Sequence, residues 1–157
     1  MAASAAREVQ GIKLLMTSAY STGIFSTMAE VISVSPPVYN MGTIDISNHQ
    51  TTDYYREYLP GLIDGGTLTF TANYVESTAG GASSGAVEWS RGLINDLMDA
   101  RTKIGWGITL SGTSSQNVWT GVGYITSYQL LASNDKAVQY TVSIKVSGKP
   151  TNSADTT

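Results

Sequence analysis

Tyr54-Tyr55-Arg56-Glu57-Tyr58-Leu59-Pro60-Gly61-Leu62-Ile63-Asp64-Gly65-Gly66-Thr67-Leu68-Thr69-Phe70-Thr71-Ala72-Asn73-Tyr74 changes character halfway along. In its second half Leu68, Phe70, Ala72 and Tyr74 alternate with Thr67, Thr69, Thr71 and Asn73. That is the period of a strand with one buried face. The first half reads as an ordered loop. Pro60 fixes φ and disfavours helix at Leu59, and Gly61 permits a sharp turn. Asp64-Gly65-Gly66 supplies backbone freedom before the strand. The loop side chains are not those of a solvent-facing segment. Three tyrosines, two leucines and an isoleucine surround one Arg-Glu pair, and aromatics with Arg are typical anchors for a partner surface.

The flanking sequence extends the β pattern. Ile12–Met16 is a strand candidate. Phe25–Ser35 reads as a second strand, with Ile32 and Val34 on one face and Val31 and Ser33 on the other, stopped by Pro36-Pro37. Thr43–Ser47 is a third, with Ile44 and Ile46 in alternation. The segment 48–63 is then expected to be a long loop without an intrachain partner, and long loops in compact domains are usually functional. After the small-residue linker Ser77–Gly85, apolar spacing at Trp89, Leu93 and Leu97, widened by Ile94 and Met98, predicts a helix over 86–102 capped by Ser84 or Gly85. Trp106–Leu110 and Val118–Leu131 are further strands. Val138, Tyr140, Val142, Ile144 and Val146 alternate with polar residues in the clearest strand of all, which runs out at Gly148-Lys149-Pro150.

These elements predict a mainly β chain. The expected fold is an antiparallel β-sandwich or open barrel of about seven strands with one packed α-helix. Residues 1–10 form a loose arm, 11–150 one β domain, and 151–157 a polar tail.

Composition narrows the function. Charged residues make up 13% of the 157, about half of the roughly 25% usual in soluble proteins. Such a surface loses little on contact, because few charges must be desolvated when copies pack. Nine basic against twelve acidic residues give a net charge of −3, which argues against tight binding to nucleic acid. With no cysteine, disulfides and thiolate metal sites are excluded. Met1–Gln10 lack the apolar centre of a signal peptide and no apolar run reaches membrane-span length, so a soluble protein made in the cytosol is expected. No catalytic constellation stands out. His49 is the sole histidine, and nothing around it resembles a nucleophile elbow. Asp45, Asp53, Glu57 and Asp64 match no EF-hand spacing, and Arg56 offers them an ion-pair partner. Gly121-Val122-Gly123 lacks the third glycine of a dinucleotide site, and a close backbone approach explains it better. No cofactor, no metal and no enzymatic activity are expected. Trp89, Trp106 and Trp119 leave a second reading, a carbohydrate-binding β-sandwich module.

Arg56-Glu57-Tyr58-Leu59-Pro60-Gly61-Leu62 followed by Asp64-Gly65-Gly66 and a strand resembles the signature of the major tail tube proteins of long-tailed, non-contractile bacteriophages. The resemblance continues in order through Val31–Pro37, Thr43–Ser47, the Trp89–Leu97 helix and Ser147-Gly148-Lys149-Pro150, and so covers most of the chain. The Ala-rich start matches none of its motifs. It implies a structural virion protein with no active site, made in the host bacterial cytoplasm. Six copies close into a ring, and rings stack into a tube that holds the tape-measure protein and later conducts the genome. Tail terminator and distal tail proteins are its implied partners. Duplex DNA passes without tight binding. Tyr54, Tyr55, Arg56, Glu57, Tyr58, Leu59, Pro60, Gly61 and Leu62 are the candidate contacts between subunits or rings.

Overall fold

The computed structural model describes residues 12–18, 26–28, 30–48, 55–74, 86–87, 91–109, 118–134 and 137–153. The strands are β1 (Lys13–Thr17), β2 (Ser26–Met28), β3 (Val31–Ser35), β4 (Asn40–Asp45), β5 (Tyr58–Asp64), β6 (Thr67–Asn73) and β7 (Ala86–Val87). The helix α1 (Arg91–Asp99) follows, then β8 (Ile104–Thr109), β9 (Val118–Leu131), β10 (Gln139–Val146) and β11 (Thr151–Ser153). Nine strands form one sheet in the order β3-β6-β10-β9-β8-β1-β2-β7, with β11 added on β9, while β4 and β5 pair only with each other. The chain is mainly β with one described helix, as its periodicity predicts.

The clearest alternation lies at the centre of the sheet. Tyr140, Val142, Ile144 and Val146 of β10 are buried, as are Leu68, Phe70 and Ala72 on its neighbour β6. Leu14 and Met16 of β1 and Ile104, Trp106 and Ile108 of β8 belong to the same core. Strands remote in the sheet order therefore share one interior, and β1 comes within contact distance of β3 across it. A single, mainly antiparallel sheet has curled over its own apolar face, which is the open-barrel solution to covering it. Ile94 and Leu97 of α1 are buried in that core, with Leu93 and Met98 half-buried beside them. The helix ends with Arg101 in the left-handed region at φ 52°, where the Thr102 N–H donates back to the Leu97 carbonyl at 3.0 Å, a helix-terminating turn.

The glycines of β9 are explained by close approach. A Cβ on Gly121 would stand 2.6 Å from Trp106 Cζ2, and one on Gly123 would run into the Lys145 carbonyl. Overpacking of this kind costs about 1–3 kcal/mol. Gly121→Ala is expected to lower the urea midpoint accordingly, with the m-value unchanged.

Four expectations need correction. Phe25–Ser35 is not one strand: Glu30 has φ 54° and separates β2 from β3, which lie towards opposite ends of the sheet. Within β3 a bulge between Val31 and Ser33 turns Val31 and Val34 inward and leaves Ile32 exposed, reversing the faces read from simple alternation. Among the described residues helix α1 covers Arg91–Asp99, and Ala86–Val87, expected to open it, is instead a strand parallel to β2. The expected tail at 151–157 begins with β11, whose Thr151 pairs with Thr120. The expected arm at 1–10, the linker at 77–85, the cap at Ser84 or Gly85, and Trp89 lie outside the described residues.

Candidate functional site

The segment 48–63, expected to be a loop without an intrachain partner, ends in strand β5, which pairs with β4 as a two-stranded hairpin; residues 49–54 lie outside the described residues. Met41 faces Ile63, Thr43 faces Pro60, Ile44 faces Leu59 and Asp45 faces Tyr58. Pro60 is compatible with this strand because, among the described residues, β5 pairs with β4 alone and its other edge requires no N–H. Gly42 and Gly61 meet at a bulge between Met41 and Thr43, where a Cβ on Gly61 would lie 2.9 Å from the Gly42 carbonyl oxygen. The two breakers that read as a loop thus shape a bulged edge strand.

No residue of β4 or β5 is buried. Leu62 is 93% exposed, Ile63 67% and Met41 55%, with Ile44, Tyr58 and Leu59 also open and Val38 and Tyr39 at the stem. An isolated two-stranded hairpin is marginal in water. One bearing Met, Ile, Leu and Tyr over its length is an apolar patch that calls for a partner. At the far end Tyr55 is 81% exposed. Arg56 lies 3.8 Å from the Asp45 carboxylate. The Glu57 N–H donates to Ser47 Oγ at 3.0 Å, and the Ile46 N–H donates to the Glu57 carbonyl at 3.0 Å. Hydrogen bonds from Ser47, with Arg56 adding a smaller attraction, hold the Asp45 carboxyl below its ordinary range. Of the expected contact residues, Tyr55 to Leu62 all lie on or next to this hairpin, and Tyr54 lies outside the described residues. Val38, Tyr39 and Met41, not among the expected contact residues, are exposed beside them.

The hairpin joins the sheet at Asp64-Gly65-Gly66. Both Asp64 oxygens lie 2.7 Å from Lys145 Nζ, and Oδ1 also accepts the Gly66 N–H at 2.9 Å. Gly66 has φ 78°, and a Cβ there would collide with the Val38 backbone, so only glycine fits. Lys145 first, and then the Gly66 amide, lower the Asp64 pKa from its ordinary value of 3.8. A carboxylate depressed on folding contributes stability above its unfolded pKa and loses it as pH falls through the folded one. The hairpin root is therefore expected to loosen only below about pH 3.8. The Gly66 amide resonance, followed through the acid range, should report it, and Asp64→Asn should abolish the transition.

Beside the root lies a cleft of about 820 Å³ lined by Tyr39, Ile63, Val146, Lys149 and Pro150, among others. Trp119 closes the stem: its Nε1 donates to the Tyr39 hydroxyl at 2.9 Å, and its ring meets Trp106 edge-on at 5.9 Å. Trp106 is fully buried. These two tryptophans are core and stem, not a platform for a sugar ring. Among the described residues no three His, Cys, Asp or Glu side chains gather as a metal site; His49 lies outside them.

No family model and no curated protein sequence matches the chain. Solved structures do. A chain from the tail of an empty gene transfer agent (GTA) particle, refined helically with C6 symmetry, matches with a TM-score of 0.69 at 13% identity, over 95% of this chain and 100% of that one. The SPP1 tail tube matches with 0.63 at 18%, over 94% and 80%. A chain from the sheath/tube terminator of the PVC extracellular contractile injection system, in its extended state, matches with 0.61 at 16%, over 98% and 100%. At such identities the likeness is one of fold, and the chain has, over nearly its whole length, the fold of chains solved in tails and tube-bearing injection particles.

Proposed function

We propose that the chain is a structural tail tube subunit: six copies close into a ring, and rings stack into a tube that delivers a genome to a host. The observation that carries this reading is the β4–β5 hairpin. Its apolar side chains are half to almost fully exposed in the subunit, and a repeating head-to-tail assembly supplies cover from the next copy. The open edges of the sheet support it too, since closing a ring of sheets removes exposed strand edges. The fold shared with the GTA tail and the SPP1 tail tube points the same way.

On this reading the hairpin, with Tyr55, Arg56, Tyr58, Leu59 and Leu62, makes the contacts between subunits or rings. The lumen first holds a tape-measure protein and later passes duplex DNA. Terminator and distal tail proteins close the two ends, and the assembled protein resides in the virion tail. No helix among the described residues is long and apolar enough to cross a membrane. No catalytic role is assigned.

Light scattering and negative-stain imaging at rising protein concentration test the reading. Rings and then tubes of constant width are expected. A chain that stays monomeric at high concentration and joins no tail component overturns it.

A further inference from the structure

The outward face of β3-β6-β10-β9 has an unusual chemistry. The register places Ser35, Thr69, Ser143 and Ser127 in one row across four strands. The next row is Ser33, Thr71, Thr141 and Gln129. Every side chain in the two rows is a hydroxyl or an amide, and none is ionised. The hydroxyls pair with one another: Thr69 with Ser143 at 3.3 Å and Thr71 with Thr141 at 3.0 Å. Charge stops at the margins. Lys145, beyond one row, is neutralised by Asp64, and Asn73, beyond the other, binds Glu30.

The hairpin and the helix differ. The hairpin is apolar. Helix α1 and the turn after it expose Arg91, Asp96, Asp99, Arg101 and Lys103. A wide, polar, ion-free face is left, and it matches one demand of a conduit. Phosphates are gripped chiefly by Lys and Arg with release of counterions, helped by free N–H donors. Here there are no cations. The N–H groups of the inner strands β6 and β10 are spent in the ladder, and the hydroxyls are partly spent on each other. Hydroxyls still hold a water layer, which an apolar wall would not.

Resting on the tail tube reading, we propose that this face lines the lumen and that its two rows, Ser35-Thr69-Ser143-Ser127 and Ser33-Thr71-Thr141-Gln129, form a hydrated, charge-free wall past which a duplex polyanion slides.

The chain has no cysteine, so single cysteines can report the face directly. Thr71→Cys, Thr141→Cys and, on the helix, Asp96→Cys are assembled into tubes. They are treated with a small maleimide, or with a maleimide on a polymer too large to enter the tube. The small reagent is expected to label all three, and the large one only position 96, while free subunits react with both reagents at every position. Labelling of 71 and 141 by the large reagent would place the face outside. Labelling by neither would bury it between copies. Either result overturns the proposal and leaves the tube reading standing, whereas a chain that never forms tubes overturns both. Combining Thr71→Lys with Thr141→Lys is expected to raise retention of duplex DNA by tubes at least about tenfold at low salt, with the gain lost as salt rises. Tight DNA retention by the unaltered tubes, or no gain in the lysine variant, also counts against it.

Discussion

Leu62→Asp is expected to leave the subunit folded and to stop polymerisation. Leu62 is 93% exposed on β5 and touches no part of the core. Surface substitutions of this kind change stability by no more than about 0.5 kcal/mol, so the thermal midpoint of the free subunit should hardly move. If the tail tube reading holds, a neighbouring copy covers the same side chain in the assembly. Burying a leucine contributes about 1.5–3 kcal/mol, and a carboxylate in its place must be desolvated without a partner. A loss of about 3 kcal/mol or more per contact raises the critical concentration by over a hundredfold, and every copy in a ring carries the lesion. Scattering would then stay flat where the unaltered chain forms tubes. Normal tube formation by the variant would remove Leu62, and with it the outer half of β5, from the contact.

Trp106→Ala should do the reverse and damage the subunit itself. Trp106 is fully buried, stands against Gly121 and meets Trp119 edge-on, and Trp119 in turn holds Tyr39 at the hairpin stem. Truncating a buried Trp costs about 3–5 kcal/mol, a large part of the total stability of about 5–15 kcal/mol expected of a domain. The thermal midpoint is expected to fall by roughly 10 °C or more. Because the hollow adjoins β9, the Tyr39–Trp119 contact should loosen as well, and near-ultraviolet circular dichroism would read both tryptophans. A drop of only a degree or two would mean that the indole is not a structural centre.

What was legible in the sequence was whatever obeyed a period. Gln139–Val146 and Thr67–Asn73 each bury one face and turn the other outward, so alternation gave both strands and their buried sets, except for Tyr74, which lies past the end of β6 and is exposed. The hairpin gave such a signal only in its first arm, where Ile44 and Ile46 alternate, and none in β5. β4 and β5 bury neither face, and Pro60 and Gly61 look like breakers until the free edge and the Gly42 bulge are known. Its importance was still readable from composition, as Tyr, Leu and Arg gathered where polar residues are usual. The break at Glu30 was invisible because its cause is a single left-handed residue of a type that rarely adopts that conformation. β7 and β11 were missed because strands of two and three residues have no period, and their pairing partners lie far off in sequence. The Ser/Thr rows were present as alternate polar positions. That they align across four strands follows only from the register.

The pairing of distant segments also orders events in time. Leu15 faces Gly107 and Lys145 faces Thr67, whereas Met41 faces Ile63 within one short stretch. Hairpins close in about 1–10 μs, while sheets built from remote strands take roughly milliseconds to seconds. Each chain therefore samples its apolar hairpin, marginal by itself, while the sheet that carries it is still incomplete. A race between intramolecular completion and premature association follows, and its outcome depends on how crowded the chains are. Refolding yield should fall as protein concentration rises, and Leu62→Asp, which blunts the early surface without touching the late sheet, should restore it.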